Sequence, residues 1–414
     1  MAEWTEISRR GLIGGIAAAA ALTGVTPAQA STPLVPAPPI GRPEHLARLA
    51  KARALMQRHG IGAVLIEPGA SLDYFTGVQW WRSERLTAVV IPVSGDPIVV
   101  TPFFEKPSVE ESLGIPAEVR VWQEDEEPLK LVADFLRERG LANQPVGFEE
   151  TNRFFILDKL QQHLPGVKAV SANPVVRGCR MIKSPAELAL MQHAADINVA
   201  ALARTARALK VGMPATEVER LYSQAVTDLG GVSGGGLVLF GPASALPHGT
   251  GKPQALQHGD VVLLDCGCSV HGYQADNART FVFGADPTAE QRKVWQQMRR
   301  GQDIAMAAAK VGAAAGSVDD AVRASYEGWG YGPGYRLPGL SHRTGHGIGM
   351  EGHEPVNLVQ GESTPLAPGM CFSNEPGIYL PGKFGVRLED CFFMTAAGPK
   401  WFTVPPSSID QPFG

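Results

Sequence analysis

The sequence predicts an α+β protein with a small α/β domain followed by a larger domain built from two related halves. Three observations lead to this prediction: the length of 414 residues, the alternation of helical and β-branched stretches in the first part of the chain, and a faint repeat in the second. At roughly 100–200 residues per domain, the length allows two or three domains. A composition of 44% hydrophobic and 19% charged residues excludes disorder as the main state.

The N-terminal residues carry three features of an export signal. The pair Arg9-Arg10 precedes an apolar run over residues 12–22, and a small-x-small cleavage pattern ends at Ala30. This order resembles a twin-arginine signal peptide. The apolar run is shorter than the roughly 18 residues that span a bilayer, so it does not indicate a permanent membrane anchor. We therefore expect residues 1–30 to be removed on export to the periplasm. Residues 31–43 contain five prolines and are expected to form an extended linker.

Residues 44–178 alternate helical stretches with short runs of β-branched residues. Runs such as residues 63–66 and 88–91 have the length of buried strands. This alternation is typical of an α/β domain. Pro185 then opens a long helical pattern, so the boundary to a second domain, residues 179–414, is placed just before it.

The second domain contains a faint internal repeat. The tripeptide at residues 210–212 recurs one hundred positions later at residues 310–312, and Gly230 recurs as Gly330. Each copy lies between two helical patterns and is followed further along the chain by a strand-turn-strand pattern. The repeat therefore predicts two related halves.

Each half places two carboxylates in its strand-turn-strand pattern. Asp265 ends an apolar run and Asp276 follows across a turn, whereas the second pair, Glu375 and Glu389, flanks a stretch rich in proline and glycine. A carboxylate buried on a strand is unfavourable unless it is paired or bound to a metal ion. Hairpin geometry can bring each pair onto one face, so the two halves can converge on a shared centre.

Residues 341–355 hold three of the ten histidines, His342, His346 and His353. The spacing of His342 and His346 occurs in helical zinc motifs, but the glycines around His346 oppose a helix. We therefore expect an irregular glycine-rich strand or loop that passes close to ligands.

Charge and cysteine content exclude several classes of function. Lys and Arg total 37 against 41 Asp and Glu, a net charge of −4, so no basic field is available to hold nucleic acid or an anionic membrane. A small molecule is the expected partner. The five cysteines are too scattered for a disulfide framework or a CxxC metal site and are expected to be buried.

The acidic and histidine residues occur within recognisable motifs: Gly-His-Gly-Ile-Gly around His346, Asn-Glu-Pro-Gly around Glu375 and Val-Arg-Leu-Glu-Asp around Glu389. Together with Asp265 and Asp276, these motifs resemble the pita-bread metallopeptidase family, especially its Xaa-Pro aminopeptidase and prolidase branch. The resemblance implies a pita-bread catalytic domain preceded by a creatinase-like N-terminal domain. It also implies an enzyme that acts on peptides with proline in second position and forms a homodimer.

The same resemblance implies a centre of two divalent metal ions. Asp265 would bind one ion, and His346 and Glu375 would bind the other. Asp276 and Glu389 would bridge the pair. Four carboxylates match the charge of two such ions, and the oxygen-rich set suits Mn²⁺, with Co²⁺, Zn²⁺ and Fe²⁺ as alternatives.

The implied reaction is cleavage of the peptide bond between an N-terminal residue and proline, with a hydroxide shared by the two ions as nucleophile. His353 would donate a hydrogen bond to the oxyanion, and Glu375 would carry the proton to the leaving nitrogen. His248 and His342 match positions that line the substrate site, although either could instead be a core histidine.

Several questions stay open from the sequence. Arg387 lies two residues from Glu389 and is expected to orient that ligand. Trp80 and Trp81 are candidates for the wall at the far end of the cleft, on which the choice between aminopeptidase and dipeptidase depends. A metal-dependent C–N hydrolase or lyase of a small metabolite is the first alternative function. A non-catalytic binding protein is the second, although such relatives lose the metal ligands that are present here.

Overall fold

The structure, a computed structural model, describes residues 34–413. The predicted signal peptide at residues 1–30 lies outside the described residues. Residues 34–41 have no regular secondary structure, and the first helix begins at Arg42. The predicted linker therefore ends before residue 43, because Pro43 lies in the first helical turn, where its missing N–H leaves no helical hydrogen bond unmade.

The N-terminal domain is a six-stranded mixed sheet with helices packed on both faces. Its elements are α1 (Arg42–His59), β1 (Ala63–Ile66), α2 (Ala70–Thr76), β2 (Ala88–Pro92), β3 (Ile98–Pro102), α3 (Lys106–Ser112), β4 (Glu118–Trp122), α4 (Pro128–Glu138), β5 (Pro145–Phe148), α5 (Phe154–His163), β6 (Lys168–Ser171) and α6 (Asn173–Arg180). The strand order is β4-β3-β2-β1-β5-β6. Val64 and Ile66 pack against one helical layer, and Ala63 and Leu65 pack against the other. Both faces of β1 are therefore buried, which explains its continuous apolar run.

The C-terminal domain contains three sheets. Its elements are α7 (Pro185–Ala208), α8 (Ala215–Asp228), β7 (Val232–Phe240), β8 (Val261–Val270), β9 (Tyr273–Val282), α9 (Ala289–Ala308), α10 (Gly316–Gly328), β10 (Gly345–Gly347), β11 (Glu354–Leu358), β12 (Cys371–Asn374), β13 (Ile378–Leu380), β14 (Phe384–Val386), β15 (Asp390–Thr395) and β16 (Gly398–Trp401). The sheets have the orders β7-β8-β9, β11-β10-β12-β15-β16 and β13-β14. The two larger sheets meet where Ala278 of β9 and Glu389 exchange backbone hydrogen bonds of 3.0 and 3.2 Å.

The helices and sheets of both domains confirm the predicted α+β class. Among the helices described between residues 34 and 413, none combines the length and the apolar character that crossing a membrane requires.

The two halves of the C-terminal domain repeat one arrangement. Gly212 lies between α7 and α8, and Gly312 lies between α9 and α10, each with a φ of +83°. Glycine recurs at these positions because a side chain would be strained in this left-handed conformation. Each glycine N–H donates to a leucine carbonyl, Leu256 in one half and Leu366 in the other. The structure therefore confirms the repeat predicted from the sequence.

Buried polar contacts join the two domains. Helix α6 ends at Arg180, so the boundary predicted after residue 178 falls inside that helix. Arg48 of α1 donates to the Tyr273 hydroxyl at 2.7 Å, and that hydroxyl donates to Glu187 of α7 at 2.9 Å. The start of β9 is therefore held by both domains, a few residues before the carboxylate that β9 carries.

Candidate metal centre

Four carboxylates and one imidazole converge where the two larger sheets meet. Nε2 of His346 lies 3.2 Å from Oε1 of Glu375 and 3.8 Å from Oε1 of Glu389. In three overlapping groups, the possible ligand atoms lie within 4.8 Å of one another. The groups are Asp265, Asp276 and Glu389; His346, Glu375 and Glu389; and Asp276, His346 and His353. The structure thus brings together the five residues predicted as metal ligands and places His353 beside them.

The two aspartates lie on one face of adjacent strands. Asp265 of β8 is registered opposite Ala278 of β9, which is two residues past Asp276, so the aspartates are diagonal neighbours. The strands are joined by His271 and Gly272, with φ of 47° and 82°. This tight hairpin confirms the turn predicted between the aspartates and makes their spacing a fixed property of the sheet.

The cysteines of β8 point away from this face. Cys266 and Cys268 are both buried, and the Cys268 thiol donates to the carbonyl of Ala194 on α7 at 3.3 Å. All five cysteines are buried and free, as the sequence predicts. They therefore pack in the core and supply no ligand to the centre.

The two glutamates flank the β13-β14 hairpin. Glu375 follows β12 and Glu389 precedes β15, and these strands pair through Asn374 and Asp390. The glutamates thus lie at the same end of that ladder. Because the backbone of Glu389 also pairs with Ala278 of β9, the carboxylates of both halves meet at one point.

Glycines allow His346 to enter the centre. Strand β10 lies between β11 and β12, where a Cβ at Gly345 would lie 2.1 Å from the carbonyl oxygen of Ser373. A Cβ at Gly347 would lie 2.6 Å from the carbonyl oxygen of Glu354. Nδ1 of His346 is 3.0 Å from the Gly347 carbonyl, an arrangement that leaves Nε2 facing the carboxylates. The predicted glycine-rich strand is confirmed.

Burial and mutual repulsion dominate the electrostatics of the centre. Burial, together with the charge of Asp265, raises the pKa of Asp276, and burial with the charge of Asp276 raises the pKa of Glu389 well above its usual range. Burial alone would also raise the pKa of Glu375, but the hydrogen bond and charge of His346 outweigh it and lower that pKa to about 2. Within residues 34–413, Oε1 of Glu389 is buried without a hydrogen-bond partner. Two divalent cations would balance the four carboxylates and engage this oxygen, so the donor set fits a dinuclear site.

Arg387 contacts Asp265 and not Glu389. Its guanidinium donates to Oδ2 of Asp265 and, through Nε, to the Tyr379 hydroxyl at 2.8 Å. The expectation that Arg387 orients Glu389 is wrong. The backbone N–H of Arg387 donates to the Thr280 hydroxyl on β9, and the Arg387 side chain extends to Asp265 on β8. Burial raises the pKa of Asp265, and the charge of Arg387 opposes that shift.

Tyr379 is a site residue that sequence reasoning missed. Its hydroxyl accepts from Arg387 and lies 2.7 Å from Nε2 of His342. A Cβ at Gly377 would lie 2.3 Å from that hydroxyl, so glycine leaves the space that the tyrosine occupies. Its place in the turn-rich stretch between two predicted ligands was the available signal.

The three other predicted site histidines surround the centre. His342 is half-buried, and burial lowers its pKa to about 4, which keeps the ring neutral at pH 7. His353 is exposed but its ring centroid lies 4.1 Å from that of His346, and partial burial with the charge of His346 lowers its pKa to about 4. His248 is exposed, and its charge contributes to lowering both of these pKa values.

A cleft of about 490 Å³ opens beside the centre. Its lining includes Asp265, Asp276 and the glycines at residues 234–236 of β7. Trp80 and Trp81 stack on each other with ring centroids 5.1 Å apart, and Trp81 is 71% exposed. Neither tryptophan lines this cleft, and their expected place at the far end of the substrate site stays a prediction.

Comparison with known proteins identifies the family. Residues 189–396 match the profile of Metallopeptidase family M24, and residues 48–182 match the Creatinase/Prolidase N-terminal domain. The chain belongs to family M24. Its fold is a creatinase-type N-terminal domain followed by a pita-bread domain, as the motifs led us to expect. Enzymes of this family use a dinuclear metal site, and the converging groups of this M24 chain are candidate ligands for one.

The similarity extends over both domains. The chain is 33% identical over 356 residues to the Mycobacterium tuberculosis protein named "Probable dipeptidase PepE", covering 85% of this chain and 92% of the relative. It is 30% identical over 340 residues to the Xaa-Pro dipeptidase of Lactobacillus helveticus, covering 80% of this chain and 90% of the relative. The crystal structure of dipeptidase PepE from Mycobacterium ulcerans has a TM-score of 0.81 to this M24 chain at 32% identity, covering 90% of this chain and 98% of that one.

Proposed function

We propose that this chain is an Xaa-Pro dipeptidase that hydrolyses the bond between an N-terminal residue and proline with the help of two divalent cations. The observation that carries the proposal is the convergence of the predicted ligands, with His353 beside them, next to a cleft lined by Asp265 and Asp276. The identity to an Xaa-Pro dipeptidase supports the substrate class. The proposed ligands are Asp265, Asp276, His346, Glu375 and Glu389, and their oxygen-rich chemistry suits Mn²⁺.

Bound in this set, the cations would supply a water of lowered pKa and a Lewis acid for the scissile carbonyl. Glu375 is held by His346 and by the Ser373 hydroxyl, which donates to it at 3.4 Å. From that position its carboxylate would accept a proton from the attacking water and deliver it to the imino nitrogen of proline. His353 has an exposed, neutral ring beside the centre, so it would donate a hydrogen bond to the oxygen of the scissile carbonyl.

A series of hydrogen bonds runs from His342 to the Asp265 carboxylate. His342 contacts Tyr379, Tyr379 accepts from Arg387, and Arg387 donates to Asp265. These hydrogen bonds fix the Asp265 carboxylate. Both ring nitrogens of His342 are engaged, one by the Tyr379 hydroxyl and one by the Arg343 carbonyl, so His342 would help to hold this network rather than donate to the peptide backbone. His248 is exposed near the His342 imidazole and would contact the substrate.

We also propose that the protein works as an exported homodimer in the periplasm. The twin arginines and the cleavage pattern within residues 1–30 support export, and the net charge of −4 supports a small peptide over nucleic acid or a membrane as partner. Replacing Arg9 and Arg10 by lysine should retain the protein in the cytoplasm. Light scattering of the mature protein should give twice the mass of one chain, and a single-chain mass would contradict the dimer.

The test of the activity uses the mature protein, residues 31–414, loaded with Mn²⁺. We expect cleavage of Ala-Pro, no cleavage of Ala-Ala, and much slower cleavage of Ala-Pro-Gly, which distinguishes a dipeptidase from an aminopeptidase. If the protein binds two ions but cleaves no Xaa-Pro peptide with Mn²⁺, Co²⁺, Zn²⁺ or Fe²⁺, the peptidase proposal fails in favour of a C–N hydrolase or lyase. A chain that binds no ion would favour a non-catalytic binding role.

A further inference from the structure

A buried ion cluster lies between the domain junction and the loop that carries His353. Glu354 begins β11, directly after His353, and is only 5% exposed. Its carboxylate accepts from Nη2 of Arg180 at 2.6 Å and from Nζ of Lys183 at 2.9 Å. Arg180 ends α6 of the N-terminal domain, Lys183 lies between α6 and α7, and both are themselves buried. The cluster therefore connects the junction of the two domains to the edge of the centre.

The same carboxylate also closes the His353 loop, which we define as residues 348–353. Oε1 of Glu354 accepts from the backbone N–H of Met350 at 2.9 Å and of Glu351 at 3.2 Å. A Cβ at Gly349 would lie 2.7 Å from the Glu354 carboxylate, so the loop backbone packs directly against it. Glu354 thus fixes the backbone on the N-terminal side of the loop through its side chain and on the C-terminal side through its own position in β11.

The position of His353 depends on this backbone. Within residues 34–413 the His353 side chain makes no hydrogen bond, although its ring centroid lies 4.1 Å from that of His346 and a ring nitrogen lies within 4.8 Å of possible ligand atoms of Asp276 and His346. Its direction is therefore set by the loop to which it is attached. The N-terminal domain extends this support, because Nη1 of Arg180 donates to the Ser71 hydroxyl of α2 at 2.8 Å.

We propose that Glu354, held by Arg180 and Lys183, is a positioning residue that aims His353 at the substrate, so that the junction with the N-terminal domain sets the rate of the proposed reaction. This inference rests on the proposed peptidase function. Glu354 does not touch the substrate in this role; it acts through the loop. Losing it should therefore reduce kcat, because the donor is misplaced, with little effect on KM.

The experiment is a double-mutant cycle in the Mn²⁺-loaded mature enzyme with Ala-Pro as substrate. Glu354→Gln keeps the size of the side chain and should lower kcat about 10- to 100-fold, as expected when a catalytic group moves by about 1 Å. In the His353→Ala background the same change should lower kcat by less than about threefold, because no imidazole remains to be misplaced. An equal loss in both backgrounds overturns the proposal.

A matched control separates positioning from general destabilisation. Glu67 is 1% exposed and accepts from Nε of Arg153 at 2.9 Å and from its backbone N–H at 2.7 Å, but it lies in the N-terminal domain. Glu67→Gln should lower resistance to urea as Glu354→Gln does while leaving kcat nearly unchanged. Equal kcat losses in both variants overturn the proposal. If Glu354→Gln does not fold, Lys183→Met, which leaves the Arg180 contact, should show the same dependence on His353.

Hydrogen exchange gives a readout that does not require activity. Peptides covering residues 348–353 should exchange faster in Glu354→Gln than in the wild type and should be unchanged in Glu67→Gln. A wild type without proline-dependent cleavage would refute the proposed function and leave this measurement valid. Unchanged exchange in Glu354→Gln refutes the positioning role even if the wild type is fully active.

Discussion

The perturbation that probes the centre most sharply is Asp276→Asn in the metal-free protein. Burial, with the charge of Asp265, raises the pKa of Asp276 from 3.8 to about 7. The folded chain thus binds this proton more tightly than the unfolded chain does. The protonated Asp276 carboxyl therefore adds to the free energy of unfolding, and this contribution is fully present below about pH 4 and is lost as the pH rises towards about 7. Asparagine carries no charge at any pH, so Asp276→Asn should restore the stability that is lost when the carboxyl ionises.

The expected gain follows from the size of that shift. A change from 3.8 to about 7 corresponds to about 4 kcal/mol at about 1.36 kcal/mol per pH unit. The Asp276 side chain keeps partial contact with solvent in the cleft, which screens the repulsion, so we expect Asp276→Asn to raise the free energy of unfolding by about 2–4 kcal/mol at about pH 8. The gain should be less than half as large at about pH 5, where the folded wild type is protonated.

The assay is urea unfolding of chelator-treated protein, followed by tryptophan fluorescence at both pH values. Asp390→Asn is the matched control, because this buried carboxylate accepts from Arg279 at 2.8 Å and from Thr403 at 2.6 Å. Asp390→Asn should therefore lower the free energy of unfolding by about 1.5–3 kcal/mol. Added Mn²⁺ should stabilise the wild type but not Asp276→Asn. If Asp276→Asn is no more stable than the wild type at pH 8, the carboxylates do not repel one another as reasoned, and the charge argument for two cations fails.

Three further predictions follow from individual contacts. Glu375→Gln should keep the fold and lower kcat on Ala-Pro at least about 100-fold, because its proton transfer is lost; full activity would remove its assigned role. Burial lowers the pKa of His45, so the wild type should lose stability as the pH falls through 6.5. The free energy of unfolding in urea should change less for His45→Asn than for the wild type between about pH 7.5 and about pH 5.5, and equal slopes would contradict this. Gly345→Ala would place a Cβ 2.1 Å from the Ser373 carbonyl oxygen and should lower the free energy of unfolding by about 3 kcal/mol or more. In the control Gly352→Ala the new Cβ meets nothing within 4 Å and should change stability little, so similar urea midpoints for the two variants would refute the packing argument.

The sequence predicted those parts of the site that depend on local pattern. A carboxylate at the end of an apolar run, as at Asp265, marks a strand that faces a polar centre, and the period of two then separates it from Cys266 on the opposite face. The glycines on both sides of His346 likewise exclude a helix, because each of them would destabilise one. These signals lie within a few residues of the positions that they describe.

The parts that the sequence did not predict depend on contacts between distant segments. Arg387 is two residues from Glu389, yet its guanidinium reaches Asp265, which is far away in the chain and near only because the two sheets meet. Tyr379 joins the site through the same long-range packing. The predicted linker extends into α1 for a different reason, because Pro43 is compatible with both an extended segment and the first turn of a helix.

The most direct test of the proposed chemistry is an Mn²⁺ titration of chelator-treated mature protein, with bound metal and Ala-Pro hydrolysis measured in the same samples. We predict that hydrolysis of Ala-Pro appears as the bound metal approaches two ions per chain and that Ala-Ala is not cleaved. Saturation with two ions and no hydrolysis of Ala-Pro, or hydrolysis that persists in metal-free samples, would contradict a dinuclear Xaa-Pro dipeptidase.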